Sequence, residues 1–154
     1  MKKQALITGA TSGIGRATAL RLAAEGYDIT ATGRRAERLE TLRREIEAAG
    51  GRCTALVFDV RSEAEVRKFL SPLERVDLLI NNAGLAAGLE HIDQGDTADW
   101  DAMIDTNVKG LLYVTRVVTP KMVAAGGGHV FNIGSHARTA AHRNRPGHRP
   151  PKHP

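Results

Sequence analysis

Cysteine, aromatic residues and long apolar runs are all scarce in this chain of 154 residues. The single cysteine, Cys53, cannot form an internal disulfide, which is typical of a reducing compartment, and we expect it to serve as a small apolar strand residue. No stretch approaches the roughly 20 apolar residues of a membrane-spanning helix, and no signal-peptide run follows the basic start. We therefore expect a cytoplasmic protein without a membrane segment, and we predict no metal site.

Acidic residues are absent from the last part of the chain, where the whole positive excess lies. Residues 1–135 carry 17 Lys and Arg against 17 Asp and Glu, whereas residues 136–154 add five basic residues and no acid, for a net charge of +5. Residues 136–154 also lack Val, Leu, Ile, Met and aromatic residues, so little burial could offset their ordering entropy. We predict one folded domain in residues 1–135, whose balanced charge argues against a nucleic-acid partner, and a disordered Arg/Pro/His-rich tail in residues 136–154.

Glycine is plentiful by comparison, and three glycines cluster in residues 8–15, Thr-Gly-Ala-Thr-Ser-Gly-Ile-Gly. This cluster lies between a short apolar run, residues 4–7, and a helical pattern over residues 14–25. A glycine-rich turn between a strand and a helix lets the backbone approach a pyrophosphate, which the helix N-terminus attracts. The turn therefore predicts a dinucleotide site formed by Gly9, Ser12, Gly13, Ile14 and Gly15.

Strand patterns alternate with helical patterns along the whole domain. The apolar runs predict five strands, at residues 5–8, 28–32, 54–58, 76–80 and 129–133. The last intervening segment predicts one long helix over residues 98–125, and Ser62 with Glu65 matches a capping box at the start of the third helix. Such alternation implies a Rossmann-like, doubly wound α/β fold with a parallel sheet in the order 3-2-1-4-5. No strand pattern follows the fifth, so we expect the sheet to be truncated there, with an exposed edge.

Two motifs in order point to a known family. The spacing Gly9-x-x-x-Gly13-x-Gly15 differs from the G-x-G-x-x-G fingerprint, and Asn-Asn-Ala-Gly follows the fourth strand at residues 81–84. Together they resemble the short-chain dehydrogenase/reductase family, over residues 4 to about 137. The resemblance implies a dinucleotide-binding Rossmann domain, with further cofactor contacts from Asp59 (adenine amino group), Asn81, Ala83 and Gly84.

The same resemblance implies two catalytic positions. Asn107, within the long helix, corresponds to the residue that holds a water of a proton relay, and Ser135, after the fifth strand, to the one that bonds the reacting carbonyl or alcohol. Plainer interpretations stay open for several positions. The alternative for residues 81–84 is an ordinary turn, and the alternative for Asp59 is a turn residue at the end of a strand. The alternative for Asn107 is a structural hydrogen bond within the core.

The end of the second strand indicates which dinucleotide is bound. An NAD-selective site usually places an acid there for the ribose hydroxyls, whereas this chain has Arg34 and Arg35. Because guanidinium groups form charge-assisted, often bidentate bonds to phosphate, we predict NADP(H), with both arginines near the 2′-phosphate. The alternative is a solvated basic start to the following helix.

The family's catalytic Tyr-x-x-x-Lys pair is absent from these 154 residues. The two tyrosines, Tyr27 and Tyr113, are followed four residues later by alanine and valine. A phenol titrates near pH 10 and needs a neighbouring cation to act at neutral pH. His148 and Lys152 have similar spacing, but two prolines between them would interrupt a helix. We therefore expect cofactor binding without turnover, and we hypothesise that the coding frame changes near residues 135–137.

Residues 31–35, 81–86 and 103–107 resemble the NADP-dependent 3-hydroxy acid (serine) dehydrogenases of the family. The resemblance implies hydride transfer from a small hydroxy acid to NADP, or the reverse reaction on the carbonyl compound, and a homo-oligomer that packs through the long helix. A second hypothesis is a non-catalytic nucleotide-binding module whose basic tail contacts anions or nucleic acid.

Overall fold

The computed structural model describes residues 2–88 and 90–134, in which strands and helices alternate. The strands are β1 (Gln4–Ile7), β2 (Asp28–Gly33), β3 (Cys53–Val57), β4 (Leu78–Asn81) and β5 (His129–Asn132). The α-helices are α1 (Gly13–Ala24), α2 (Ala36–Ala48), α3 (Glu63–Leu70), α4 (Thr97–Ile104) and α5 (Leu111–Ala124). Ser135, the predicted tail and the His148/Lys152 pair lie outside the described residues.

The five strands form one sheet in the order β3-β2-β1-β4-β5, with every neighbouring pair parallel. The predicted order and fold class are confirmed. Leu6 in the central strand β1 aligns with Thr30 on one side and Leu79 on the other. All carboxyl ends therefore meet at one edge of the sheet, which is where the helices begin and where open sheets of this class bind ligands.

The alternating side chains of the central strands fill two separate cores. Ala5 and Ile7 face one side and pack with the buried residues of α1 and α2, Leu39 among them. Leu6 faces the other side and packs with α3 and α5, through residues such as Val114. Helices thus cover both faces of the sheet, and each central strand is buried on both sides, as a parallel sheet requires.

Cys53 begins β3 and is buried in the core on the α1/α2 side. Burial, assisted by the charge of Glu47, raises the pKa of its thiol to about 11. The thiol is therefore protonated at neutral pH and behaves as the small apolar residue expected from the sequence.

The long helix predicted over residues 98–125 forms over residues 97–124, but it is not α-helical throughout. A π-helical turn, Asp105–Gly110, separates α4 from α5. Two local contacts accompany the wider turn: Asn107 bonds to the loop after β4, and a Cβ on Gly110 would lie 2.8 Å from Cγ2 of Val60. The apolar pattern continues through this segment, so its periodicity gives no sign of the extra residue.

Several apolar side chains of the last third of the described chain face outward. All four residues of β5 are exposed at the sheet edge, as expected. Ile104, Val108 and Leu112, four residues apart, are each at least half exposed. The predicted homo-oligomer stays a prediction. Among residues 2–88 and 90–134, no helix is both long and apolar enough to cross a membrane.

Candidate nucleotide-binding site

A cavity of about 660 Å³ opens at the carboxyl edge of the sheet, within the usual ligand-site range of ~300–1,000 Å³. The loops after β1, β2, β3 and β4 and the π turn contribute to its wall. Its lining residues are Gly9, Thr11, Ser12, Ile14, Gly33, Arg34, Arg35, Phe58, Asp59, Val60, Asn82, Ala83, Gly84, Leu85 and Thr106. Most of the predicted cofactor-contacting residues thus lie together, whereas Gly13, Gly15 and Asn81 do not line the cavity.

The glycine-rich turn after β1 is packed too tightly for side chains at two positions. Gly9 has a φ of +67°, and a Cβ there would lie 2.8 Å from the Cα of Ala83. A Cβ on Gly15 would lie 2.3 Å from Nδ2 of Asn82 and 2.5 Å from the carbonyl oxygen of Gly9. Gly15 therefore acts behind the cavity wall, by letting α1 begin directly against the turn.

Asn82 ties the loop after β4 to this turn. Its Nδ2 donates to the carbonyl oxygens of Thr8 and Gly9, both at 3.1 Å. The Thr8 hydroxyl accepts in return from the backbone N–H groups of Asn82 and Ala83, both at 3.0 Å. These four bonds make the two loops one rigid unit. Asn82 is not predicted as a site residue from the sequence, although it lies within the Asn-Asn-Ala-Gly motif.

The N-terminus of α1 faces the same region without a side-chain cap. Ser12 is the N-cap residue, yet its hydroxyl accepts no capping hydrogen bond. Gly13 follows with a φ of +56° and open space where a Cβ would lie. The N–H groups of the first helical turn have no partner within the helix and carry a partial positive charge. This end of α1 can therefore bind an anion through backbone groups.

The two arginines after β2 have different surroundings. Arg34 is 63% exposed and its Nη1 lies 3.9 Å from Oδ2 of Asp59. Arg35 turns back over the glycine-rich turn, where its Nε and Nη2 donate to Oγ1 of Thr11 and its Nη2 also donates to Oγ of Ser12. Both guanidinium groups lie at the cavity wall, so this part of the cavity attracts an anionic ligand.

Asp59 is fixed at both its backbone and its side chain. Its N–H donates to Oε2 of Glu65 at 2.8 Å, and its carboxylate accepts from the backbone and guanidinium of Arg61. Partial burial acts to raise the pKa of Asp59, but the bonds from Arg61 and the charges of Arg61 and Arg34 outweigh it and lower the pKa. The carboxylate is therefore ionised at neutral pH and presents acceptor oxygens to the cavity.

Only one of the two hydrogen bonds of the predicted capping box forms at the start of α3. The Glu65 side chain, which would make the second bond, binds Asp59 at the site instead. Ser62 accepts from the N–H of Glu65, as predicted. The Glu65 carboxylate does not return to Ser62 but binds the backbone of Asp59. Helix α3 thereby positions Asp59 at the cavity.

Asn81 lies within the sheet and away from the cavity. It is buried, and its Nδ2 donates to Oγ1 of Thr115 at 3.0 Å and to Oδ1 of Asn132 at 2.9 Å. Strand alternation turns Asn81 to the same side as Leu79, toward α5. These contacts join β4 to the neighbouring strand β5 and to α5.

Asn107 holds the loop after β4 through both atoms of its amide. Its Oδ1 accepts from the N–H of Leu85, and its Nδ2 donates to the carbonyl oxygen of Leu85, both at 2.8 Å. Leu85 and Thr106 line the cavity, so Asn107 supports the wall from behind. Ser135, the other predicted catalytic residue, lies outside the described residues.

These features suit a phosphorylated, extended ligand. The uncapped helix end offers backbone donors for one anionic group, two arginines offer charge for another, and Asp59 offers an acceptor beyond them. Among residues 2–88 and 90–134, no group of three or more His, Cys, Asp or Glu side chains is arranged to hold a metal ion.

Comparison with known proteins supports the family resemblance. A family model described as short chain dehydrogenase matches residues 3–146. The NADP-dependent 3-hydroxy acid dehydrogenase YdfG of Salmonella typhi is 45% identical over 136 residues, covering 86% of this chain and 54% of that protein. Sulfoacetaldehyde reductase 2 of Chromohalobacter salexigens is 47% identical over 135 residues, covering 84% and 53%.

A solved structure has the same arrangement of strands and helices. The closed form of a serine dehydrogenase complexed with NADP+ superposes with a TM-score of 0.84 at 42% identity, covering 90% of this chain and 56% of that one. The chain spans about half the length of the curated relatives it matches.

Proposed function

The chain belongs to the short-chain dehydrogenase family, and on that premise we propose that its described residues bind NADP(H) as the cofactor half of an oxidoreductase. The observation that carries the proposal is the pair Arg34 and Arg35 on the wall of a cavity that begins at a glycine-rich turn. Residues 29–35, from the second residue of β2 into the following loop, contain no acid that would favour the ribose hydroxyls of NAD. The bound NADP+ of the similar serine dehydrogenase supports the same cofactor.

Each part of the cavity suits one part of the dinucleotide. The pyrophosphate would bind backbone N–H groups at the start of α1, at Ser12 and Ile14, which line the cavity beside the turn at Gly9. Gly13 and Gly15 would shape this turn without lining the cavity. The 2′-phosphate would bind Arg34 and Arg35 through charge-assisted bonds. The adenine amino group would donate to Asp59, and Ala83 and Gly84 would form the wall on the other side of the turn.

We propose hydride transfer between NADP(H) and a small hydroxy acid or its carbonyl form as the chemistry of the full catalytic unit. When bound, the nicotinamide ring supplies the hydride donor or acceptor. Asn107 and Ser135 are the proposed catalytic residues of this chain, Asn107 holding a water and Ser135 bonding the substrate oxygen. The names of two relatives, a 3-hydroxy acid dehydrogenase and a serine dehydrogenase, support the substrate class.

We further propose that these 154 residues, taken alone, bind the cofactor without turnover. Proton transfer to or from the substrate oxygen needs a group that titrates within reach of neutral pH. Neither Tyr27 nor Tyr113 has a lysine four residues later. Tyr27 also packs against the core between α1 and β2, far along the chain from the proposed catalytic residues.

Cofactor binding is tested by titrating the purified chain with NADPH, NADP+ and NAD+ and following NADPH fluorescence and thermal unfolding. We expect NADP(H) to bind more tightly than NAD+, and Arg34→Ala and Arg35→Ala to remove most of that preference. A charge-assisted bond contributes about 1.5–3 kcal/mol, so each loss should be about tenfold or more. Arg44→Ala on the exposed face of α2 is the matched control. Equal affinity for both dinucleotides, or none, would contradict the proposal.

Turnover is tested separately, with serine and other 3-hydroxy acids as substrates and the absorbance of NADPH as the readout. We expect no turnover above a sample without protein. Measurable turnover that follows the protein through purification would refute the proposed inactivity while leaving the cofactor proposal intact.

A further inference from the structure

Thr11 connects the two loops that form the anionic end of the cavity. It lies in the glycine-rich turn after β1 and is 8% exposed. Its Oγ1 accepts from both Nε and Nη2 of Arg35, in the loop after β2. A buried hydroxyl on one loop is therefore the anchor of an exposed arginine on the other.

The position of Thr11 is itself fixed by the backbone around it. The N–H of Ala10 donates to the carbonyl oxygen of Thr32 at 2.9 Å, which joins the end of β2 to the turn. A Cβ on Gly33 would lie 2.6 Å from Cγ2 of Thr11, so the threonine methyl occupies the space that a side chain there would need. The bond from Ala10 to Thr32 fixes the backbone of the turn, so the Thr11 hydroxyl faces Arg35 from a rigid support.

The bonds to Arg35 occupy one edge of its guanidinium and leave the rest available. An arginine has five N–H donors, one on Nε and two on each Nη. Nε and Nη2 donate to Thr11 and Ser12, whereas Nη1 has no hydrogen-bond partner within the described part of the chain. The guanidinium is thus anchored through Nε and Nη2 and retains a pair of N–H groups for a ligand.

Anchoring matters because a free arginine side chain has many rotamers to lose on binding. Arg34, by contrast, is 63% exposed and is restrained only by a 3.9 Å ion pair among the contacts described. Arg35 enters the complex already ordered, and Arg34 has more freedom to lose. The two side chains therefore differ in the entropy that they lose on binding a phosphate, although both are arginines.

We infer that Thr11 is a positioning residue that sets the preference for a 2′-phosphorylated cofactor by fixing Arg35. The inference rests on the proposed NADP(H) site and adds a residue that no sequence motif assigns to selectivity. Thr11 acts through Arg35 and does not need to touch the phosphate itself.

The test compares Thr11→Val, which keeps the shape and removes the hydroxyl, with Thr11→Ser, which keeps the hydroxyl. The probes are adenosine 2′,5′-bisphosphate and adenosine 5′-monophosphate, which differ in the 2′-phosphate alone, and the readout is the ratio of their dissociation constants. Loss of a hydrogen bond to a charged group predicts a fall of about tenfold in the preference for Thr11→Val. Thr11→Ser should retain the wild-type ratio, and so should Thr41→Val, a control on an exposed threonine of α2.

A double-mutant cycle with Arg35→Ala separates positioning from general damage. If Thr11 acts through Arg35, Thr11→Val should change the ratio less than twofold once Arg35 is removed. An equal effect in both backgrounds would overturn the inference, as would an unchanged ratio in Thr11→Val alone.

An NMR measurement reports on the anchor without any cofactor. The Nε–H of Arg35 should exchange slowly with solvent in the wild type and in Thr11→Ser, and rapidly in Thr11→Val. Fast exchange in the wild type would overturn the inference directly. Slow exchange in a wild type that does not distinguish the two probes would refute the proposed NADP(H) site and the inference with it. Retained preference in Thr11→Val would refute the inference alone.

Discussion

Replacing Gly15 by alanine has two opposing effects on the free energy of unfolding. Helix propensity predicts a gain in stability, whereas close packing predicts a loss. Gly15 lies in the first turn of α1, and alanine is favoured over glycine inside a helix by about 1 kcal/mol. Its Cβ, however, would lie 2.3 Å from Nδ2 of Asn82 and 2.5 Å from the carbonyl oxygen of Gly9. Real Cβ atoms do not approach other atoms so closely, so part of the site must move.

The packing cost is the larger of the two. The Asn82 side chain can leave only by giving up its bonds to Thr8 and Gly9, at about 1 kcal/mol each. Gly9 cannot recede freely because it already lies against the backbone of Ala83, and forced shifts of this kind cost about 1–3 kcal/mol. After the propensity gain is subtracted, we expect Gly15→Ala to lower the free energy of unfolding by about 2 kcal/mol or more.

Urea unfolding followed by circular dichroism measures this difference. Ala17→Gly, at an exposed position of the same helix, is the matched control and should cost about 1 kcal/mol from propensity alone. Gly15→Ala should also weaken NADPH binding, because the displaced Asn82 no longer joins the two loops. A gain in stability for Gly15→Ala, similar in size to the loss in Ala17→Gly, would refute the close packing of this turn.

Three further outcomes follow from buried groups away from the turn. Asn81→Ala should lower the free energy of unfolding in urea by about 1–2 kcal/mol, since it removes two hydrogen bonds, to Thr115 and Asn132, at about 1 kcal/mol or less each; an unchanged midpoint would contradict the role of Asn81 in joining β4 to α5 and β5. The Arg75 guanidinium, acting against partial burial, holds the pKa of Asp77 in the folded protein below its ordinary value. Ionised Asp77 therefore stabilises the fold at pH values above its ordinary pKa. This stability is lost as the pH falls through the pKa of Asp77 in the folded protein. Asp77→Asn should therefore flatten the loss of stability between about pH 5 and pH 2 in urea titrations, and an unchanged slope would refute the linkage. Cys53, buried and with a pKa of about 11, should resist iodoacetamide at pH 8 until urea is added, as mass spectrometry can follow; rapid labelling of the native protein would mean that β3 opens readily.

The order of strands follows from the sequence because local patterns and one handedness rule suffice for it. Short apolar runs separated by helices leave few topologies once crossovers are right-handed. The π turn does not follow, because Asn107 and Gly110 act through contacts with Leu85 and Val60, which are far away in the chain. Periodicity reports only neighbours within the same helix.

The candidate site also contains residues that the sequence could place and residues that it could not. Gly9, Arg34 and Asp59 could be placed at the cavity because each comes within two residues of the end of a strand, and parallel strands end at one edge of the sheet. Which asparagine of the pair at the end of β4 faces the cavity depends on where that strand ends, and Asn82 rather than Asn81 does so. The bond from Arg35 to Thr11 joins two loops 24 residues apart, and no spacing rule could have indicated it.

The π turn also limits how the length of this chain can change. A π turn equals one residue inserted into an α-helix, and each residue rotates an α-helix by about 100°. Deleting one residue from Asp105–Gly110 would restore a continuous helix and rotate α4 by that angle relative to α5. Asn107 would then turn away from Leu85, or Val114 would leave the core beneath the sheet. A change of one residue in length should therefore disturb this segment more than a substitution at an outward position such as Val108, which is half exposed.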